Sequence, residues 1–249
     1  MKKGLNLTKK SKVIILSVIA VLVLIVIGVL LFTLIPKKAK TSLKYTLSDD
    51  GTYYIVTGFE SLNENLVISE TYQGKPVLEI ADSCFSHQQT IKSVTIPQSV
   101  KKIGKLCFND CKNLKSVTLS EGLTEIGLYA FNKTPITSLT LPTTLKKYNY
   151  SFAYCESLKT VTFPEGLTII DDYAFYGATS IENVIIPKSV TMIGGSAFFG
   201  CESLISAQFL ALDGWKVLNT SISSEDLKNP TFVAQLLTEY NYKYVWTRE

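Results

Sequence analysis

The chain has 249 residues and a formal net charge of +4, but that charge is unevenly placed. Residues 1–44 carry nine lysines and no acidic group, while the other 205 carry 16 basic and 21 acidic groups, a balance of −5. A mildly acidic body excludes a nucleic-acid binder, which needs a basic footprint, and the length divides naturally into one membrane segment and one domain.

Val13 to Ile35 is a run of 23 residues without a charge, interrupted only by Ser17, Gly28 and Thr33. As a helix it would span about 34 Å, enough for a hydrocarbon core of roughly 30 Å. Pro36 and Lys37-Lys38 stop it. No Ala-x-Ala site follows Ile35 and no cysteine is placed for lipid attachment, so residues 13–35 read as an uncleaved transmembrane signal anchor. The alternative is a long signal peptide cut near Ala39-Lys40-Thr41. Five lysines precede the span (Lys2, Lys3, Lys9, Lys10, Lys12) and four follow it (Lys37, Lys38, Lys40, Lys44). This weak positive-inside bias makes residues 1–12 a cytoplasmic basic tail and 36–44 a linker on the far side.

Residues 45–78 form a lead-in. Asp49-Asp50-Gly51 reads as a turn, Tyr53-Tyr54-Ile55-Val56 as a strand, and Leu66-Val67-Ile68 as a second short strand. Together they would cover an exposed sheet edge. Asp49 and Asp50 are turn residues here rather than metal ligands, since no third acid lies nearby.

Residues 79–209 repeat one pattern six times. Phe85, Phe108, Phe131, Phe152, Phe175 and Phe198 mark the copies. Five have an Ile five positions earlier: Ile80, Ile103, Ile126, Ile170 and Ile193. An alternating triplet follows each Phe, often closed by proline, as in Val94-Thr95-Ile96-Pro97 and Val161-Thr162-Phe163-Pro164. The third copy is one residue short at Pro135, and the fourth is one short before Phe152, where Tyr148 replaces the usual Ile. A fixed period of this size means a solenoid, because one copy cannot bury its own apolar face. The triplet has a period of two, so the expected fold is a β-rich coil with one short parallel strand per repeat of about 23 residues. Val94 and Ile96 point in; Ser93 and Thr95 point out. The glycine after Ile103, Ile126 and Ile193 reads as a repeat turn.

The pattern Ile193-Gly194-Gly195-Ser196-Ala197-Phe198-Phe199-Gly200-Cys201-Glu202-Ser203-Leu204 resembles the BspA-type leucine-rich repeat family. Tyr72-Gln73-Gly74-Lys75-Pro76-Val77 is similar to that family's first rung, and Trp215 to Trp246 to a recurrent C-terminal cap. The resemblance covers about Tyr45 to Glu249. It implies a leucine-rich-repeat solenoid outside the cell, a bacterial surface or adhesion role, and a protein or matrix partner.

Residues 210–249 leave the period and are expected to form an α/β C-terminal cap. Asn229-Pro230 is a helix start, with Asn as N-cap and Pro at the first position. Phe232, Val233, Leu236, Leu237 and Tyr240 give that helix an apolar face. Tyr242, Tyr244 and Trp246 alternate as a final strand would. Trp215 and Trp246 read as seals on the last rung, with an aromatic ligand patch as the alternative.

Little in the chain suggests catalysis. Cys111, Cys155 and Cys201 share one slot, two copies apart, which stacked strands would hold near 10 Å. A disulfide needs Cα atoms within about 7 Å, so these are expected as buried free thiols. Cys84 and Cys107 occupy one slot in adjacent copies, where a disulfide stays open. The single histidine, His87, reads as a turn residue. No nucleophile motif, zinc spacing or phosphate loop is present, and neither an enzyme nor a cofactor is expected. The candidate contact surface is the outward face of the strands: Ser93, Thr95, Ser116, Thr118, Ser138, Thr140, Thr160 and Thr162. It reads as good β propensity on a solvated face or as a flat, uncharged recognition surface; a third reading, binding to ice or a crystal face, is disfavoured by the break in the ladder at Ile185. The function expected is a membrane-anchored extracellular recognition scaffold for adhesion, non-catalytic; the alternative is a structural envelope spacer or assembly component with no dedicated ligand.

Overall fold

The computed structural model describes residues 40–218, 220–240 and 244–249. The basic tail 1–12, the span 13–35 and the linker up to residue 39 lie outside the described residues. Among the described residues no helix is long and apolar enough to cross a membrane.

Residues 40–249 form one compact unit. Each repeat makes one turn of a coil, and about seven turns stack on one another. The alternating triplets form the first column of strands. Asn65–Val67, Ser93–Ile96 and Ser116–Leu119 make a three-stranded parallel sheet. Ser138–Thr140, Thr160–Thr162, Asn183–Ile186 and Ser206–Phe209 make a four-stranded parallel sheet. The seam between the two falls at the copy shortened at Pro135. There the Thr137 N–H reaches the Lys115 carbonyl at 3.3 Å, without a full ladder between the strands.

A second column of strands corrects the expectation of one strand per repeat. The recurrent Ile closes a two-residue strand in most turns: Lys102–Ile103, Glu125–Ile126, Ile169–Ile170 and Met192–Ile193. The first two stack in parallel on Lys75–Ile80, and the last two pair with each other. Two residues are too short to show a period-two pattern, so only the recurrence of Ile was visible in the sequence. In the shortened fourth copy Lys147 bridges to Glu125 instead. Tyr148 fills the gap there, fully buried, and donates its hydroxyl to the Ile169 carbonyl at 2.7 Å.

Between the columns runs an arc centred on Phe. The residues two before and two after each Phe are left-handed in all six copies. The earlier set is Ser83, Leu106, Tyr129, Tyr150, Tyr173 and Ser196; the later set is His87, Asp110, Lys133, Tyr154, Gly177 and Gly200. For a non-glycine residue that conformation costs roughly 1–2 kcal/mol. The arc recovers hydrogen bonds in return. Phe85, Phe108, Phe131, Phe152 and Phe175 each donate their N–H to a carbonyl of the next turn, at 2.7 to 3.0 Å. Most of the left-handed residues do likewise, as Ser83 does to Lys105 and Tyr154 to Tyr176.

Inside the coil the six rings stack. Successive centroids from Phe85 to Phe198 lie 5.1 to 5.8 Å apart with planes within 15°. Gly104, Gly127 and Gly194 have ordinary backbone angles, so the reading of this glycine as a turn residue is corrected. A Cβ there would lie 2.4 to 2.5 Å from main-chain atoms of the preceding turn, and the glycine permits that close approach.

The lead-in adds a turn of its own. Tyr54–Ser61 pairs in parallel with Lys75–Ile80, Asn65–Val67 pairs with Ser93–Ile96, and Phe59 stacks on Phe85 at 5.8 Å. Ser42–Leu47 then pairs antiparallel with Tyr54–Ser61 and covers its outer edge. Residues 42–44, read as the end of the linker, lie in that strand. Thr71–Tyr72 and Lys75–Pro76 close a hairpin through Gln73 (φ 46°) and Gly74 (φ 79°), the handedness a two-residue hairpin turn requires.

At the other end, Trp246–Arg248 pairs antiparallel with Met192–Ile193 and also with Trp215–Val217. The final strand thus starts at Trp246; Tyr244 precedes it and Tyr242 lies outside the described residues. The helix Pro230–Gln235 packs against Ser206–Phe209. Asn229 caps it by accepting from the Phe232 N–H at 3.1 Å. Its buried face is Val233, Ala234 and, just beyond it, Leu237, whereas Phe232 points to solvent.

Candidate functional site

All eight predicted hydroxyl residues fall on the first column, and adjacent turns bring them into register. Ser93 faces Ser116 and Thr95 faces Thr118; Ser138 faces Thr160 and Thr140 faces Thr162. Seven of them are exposed and Ser93 is half-buried. The alternation is the cause: Val94, Val117, Leu139 and Val161 enter the core, so their neighbours must leave it. The row is split by the seam between Ser116–Leu119 and Ser138–Thr140. It continues outward to Asn65, whose side-chain oxygen accepts from Ser93 Oγ at 2.8 Å, and to Asn183, Ser206 and Gln208. The sequence did not single out Val67, which extends the row and is exposed like Ile185. Along one border stand Lys92, Lys115 and Lys159, all exposed; Lys92 pairs with Glu64 at 3.2 Å. The face is therefore uncharged along its centre, with three lysines on one border between Glu64 and Glu182.

The other candidate residues have structural surroundings. Asp50 Oδ1 accepts from Ser48 Oγ at 2.6 Å, the Thr52 N–H at 3.0 Å and Thr52 Oγ1 at 2.8 Å. Those bonds, Ser48's first, hold its carboxyl below the usual range and close the predicted turn. His87 Nδ1 lies 3.2 Å from Asp110 Oδ2 in the next turn. The Lys112 ammonium beside it, followed by His87, lowers the Asp110 carboxyl. Trp215 and Trp246 are buried against Phe209, with centroids 4.9 and 5.8 Å away, so they are no surface patch.

All five cysteines carry free thiols, Cys84 and Cys107 included. Cys111, Cys155 and Cys201 point their S–H at the Phe85, Phe131 and Phe175 carbonyls of the preceding turn, at 3.1, 3.1 and 3.3 Å. Burial raises Cys111 from 9.0 to about 11, and Cys155 and Cys201 to about 12. The folded chain keeps protons that the unfolded chain gives up above pH 9.0, so this contribution is complete below that pH and is lost as pH rises toward about 12. Melting temperature should therefore fall between about pH 8 and about pH 10.5, and fall less in a Cys111→Ala/Cys155→Ala/Cys201→Ala variant. An equal fall in both proteins would contradict this.

One concavity escaped the sequence reading. On the arcs of the third to fifth repeats, Tyr129, Tyr150, Tyr154, Tyr173 and Tyr176 line a cavity of about 320 Å³. Tyr150 stacks on Tyr173 at 4.1 Å and 7°, and Tyr129 lies 5.1 Å from Tyr150. Burial, then the Tyr173 phenol, pushes the Tyr150 phenol above its ordinary value. Gly177 (φ 67°) leaves room for the Tyr154 ring, which a Cβ there would meet at 2.8 Å. The available signal was Tyr in one slot, two before Phe, in three consecutive copies.

Comparison with known proteins agrees with this architecture. A leucine-rich repeat protein of T. pallidum is 24% identical over 65% of this chain and 87% of its own, with a TM-score of 0.50. A leucine rich cell surface protein of Faecalibacterium prausnitzii A2-165 is 26% identical over 71% of this chain, TM-score 0.51. The pneumococcal vaccine antigen PcpA is 25% identical over 68%, TM-score 0.55. The chain spans 55% of the F. prausnitzii structure and 49% of PcpA. No curated protein matches it. The BspA type leucine rich repeat region matches residues 78–205 in six copies, about half of the chain, and the chain belongs to that family.

Proposed function

We propose that this protein is a membrane-anchored, extracellular recognition scaffold that binds a protein or matrix partner through the hydroxyl-bearing face of its first strand column, without catalysis. The observation that carries the proposal is the outward register of Ser93, Thr95, Ser116 and Thr118 in one sheet and of Ser138, Thr140, Thr160 and Thr162 in the other, on the same strand column. A face held by main-chain ladders loses little freedom on binding, which is the chief saving in a preorganised site. Neutral hydroxyls also cost less to desolvate than charges. The basic border at Lys92, Lys115 and Lys159 suits a partner with acidic groups at its rim.

The anchor rests on the charge-free stretch 13–35, and the surface location is supported by the family and by the F. prausnitzii cell surface protein. In this reading residues 1–12 are cytoplasmic and the repeats lie outside.

Thr118→Lys with Thr140→Lys places two long charges at the centre of the face. Full-length protein displayed on cells should adhere to immobilised matrix or host-surface proteins, and the double variant should lose adhesion at least tenfold with its circular dichroism unchanged. Adhesion kept by the double variant but lost on deletion of one whole repeat would replace recognition by a spacer role.

A further inference from the structure

We propose that the tyrosine-lined corner of the third to fifth repeats is a second binding site, for an uncharged glycan of linked pyranose sugars. It lies on the Phe arcs, away from the hydroxyl column, and does not depend on that face being a recognition surface.

The left-handed slots belong to every repeat, but their occupants differ. Two before Phe, the first, second and sixth copies carry Ser83, Leu106 and Ser196, while the third to fifth carry Tyr129, Tyr150 and Tyr173. Tyr154 and Tyr176 complete the wall around a cavity of about 320 Å³. That volume is at the lower end of ordinary ligand sites, roughly 300–1,000 Å³. Tyr154 also lines an adjoining cavity of about 360 Å³, with Lys133, Glu156 and Ser157. Tyr154 therefore stands at the edge of both concavities. The backbone under the rings is held, because the Tyr150, Tyr154 and Tyr173 N–H groups are bonded to the next turn at 3.1, 2.7 and 3.0 Å, and the rings pack on one another, Tyr150 on Tyr173 and Tyr154 on Tyr176.

The chemistry of the lining selects the ligand. Charges are balanced: Lys112 pairs with Asp110, and Lys133 shares its cavity with Glu156. An ionic ligand would find no net attraction. Tyr150 and Tyr173 cover each other's inner faces, and it is the exposed Tyr154 ring that offers its surface to the C–H face of a pyranose. A phenol hydroxyl both donates and accepts, lysine only donates and glutamate only accepts. Sugar hydroxyls use both kinds of partner. A polyproline helix, the other ligand that favours aromatic grooves, offers carbonyl acceptors but no N–H donors, and would leave the acceptor half of the site unused.

The test uses the full-length chain in a sugar-free detergent. The probes are β-linked hexaoses of glucose, mannose and N-acetylglucosamine, with decaproline beside them, read by saturation-transfer NMR and calorimetry. At least one hexaose should bind. Tyr154→Ala and Tyr173→Ala should each weaken it about tenfold through the lost ring surface. Thr118→Lys with Thr140→Lys, on the hydroxyl column, should leave it unchanged. If Tyr173→Ala fails to fold, Tyr154→Phe keeps the ring and should still weaken binding about threefold through the lost hydroxyl. The proposal is overturned if no hexaose binds, if decaproline binds in their place, or if binding survives both tyrosine changes.

Discussion

Phe131→Ala should lower unfolding stability by about 3–5 kcal/mol, the range for a large aromatic deleted from a packed core. Phe131 is fully buried, and its ring stacks on Phe108 at 5.1 Å and on Phe152 at 5.4 Å. Stability in a stacked repeat array is a sum of repeat terms and nearest-neighbour interface terms. Removing the central ring strikes one repeat and both of its interfaces. Against a total of about 5–15 kcal/mol for an ordinary domain, that loss is a large fraction. Thr118→Ala, on the exposed face, should change stability by less than about 0.5 kcal/mol. Denaturant unfolding of the two variants checks the contrast. A loss below about 1 kcal/mol for Phe131→Ala would mean that the ring stack fills space without coupling the turns.

Gly127→Ala should cost about 1–3 kcal/mol, although alanine normally stabilises a chain relative to glycine. A Cβ on Gly127 would lie 2.5 Å from the Lys105 nitrogen and 2.6 Å from the Gly104 carbonyl carbon. Both are main-chain atoms in the turn below, so relief requires the two turns to separate. Gly58 is the control. Its Cβ would meet only Lys44 side-chain atoms at 3.9 to 4.0 Å, and Gly58→Ala should be neutral to slightly stabilising. Thermal unfolding of the pair distinguishes close approach from loss of backbone freedom. If both alanines are neutral, the inter-turn spacing is softer than the geometry implies. If both destabilise equally, the cost at Gly127 does not come from the close approach of the two turns.

These two residues also show what the sequence could and could not reveal. Phe131 recurs in a fixed slot, and Val94, Thr95 and Ile96 alternate, so the stack and the first column were legible from period and alternation. Gly127 was legible as recurrent but misread, because a turn glycine and a close-contact glycine leave the same mark in one chain. The second column was hidden because Lys102–Ile103 and Glu125–Ile126 are too short for alternation to register. The lead-in was not recognised as another turn because Phe59 stands 26 residues before Phe85, outside the period of the others. For the candidate face, the outward direction of all eight hydroxyls followed from the pattern, while the seam at the third copy did not. Sequence shows that a residue is missing there, but not whether the ladder closes over the gap. The tyrosine corner depends on left-handed slots, which turn side chains together in a way that linear spacing does not announce.

The measurement that tests the central claim most directly is a lysine scan of the full-length, cell-displayed chain. One lysine would be placed in turn at Ser93, Thr95, Ser116, Thr118, Ser138, Thr140, Thr160 and Thr162, and at exposed positions of the second column and the arcs, with adhesion measured for each. The account predicts losses concentrated on the first column, greatest near its centre, and none on the second column. Losses scattered over all faces, or confined to the arcs, would contradict it.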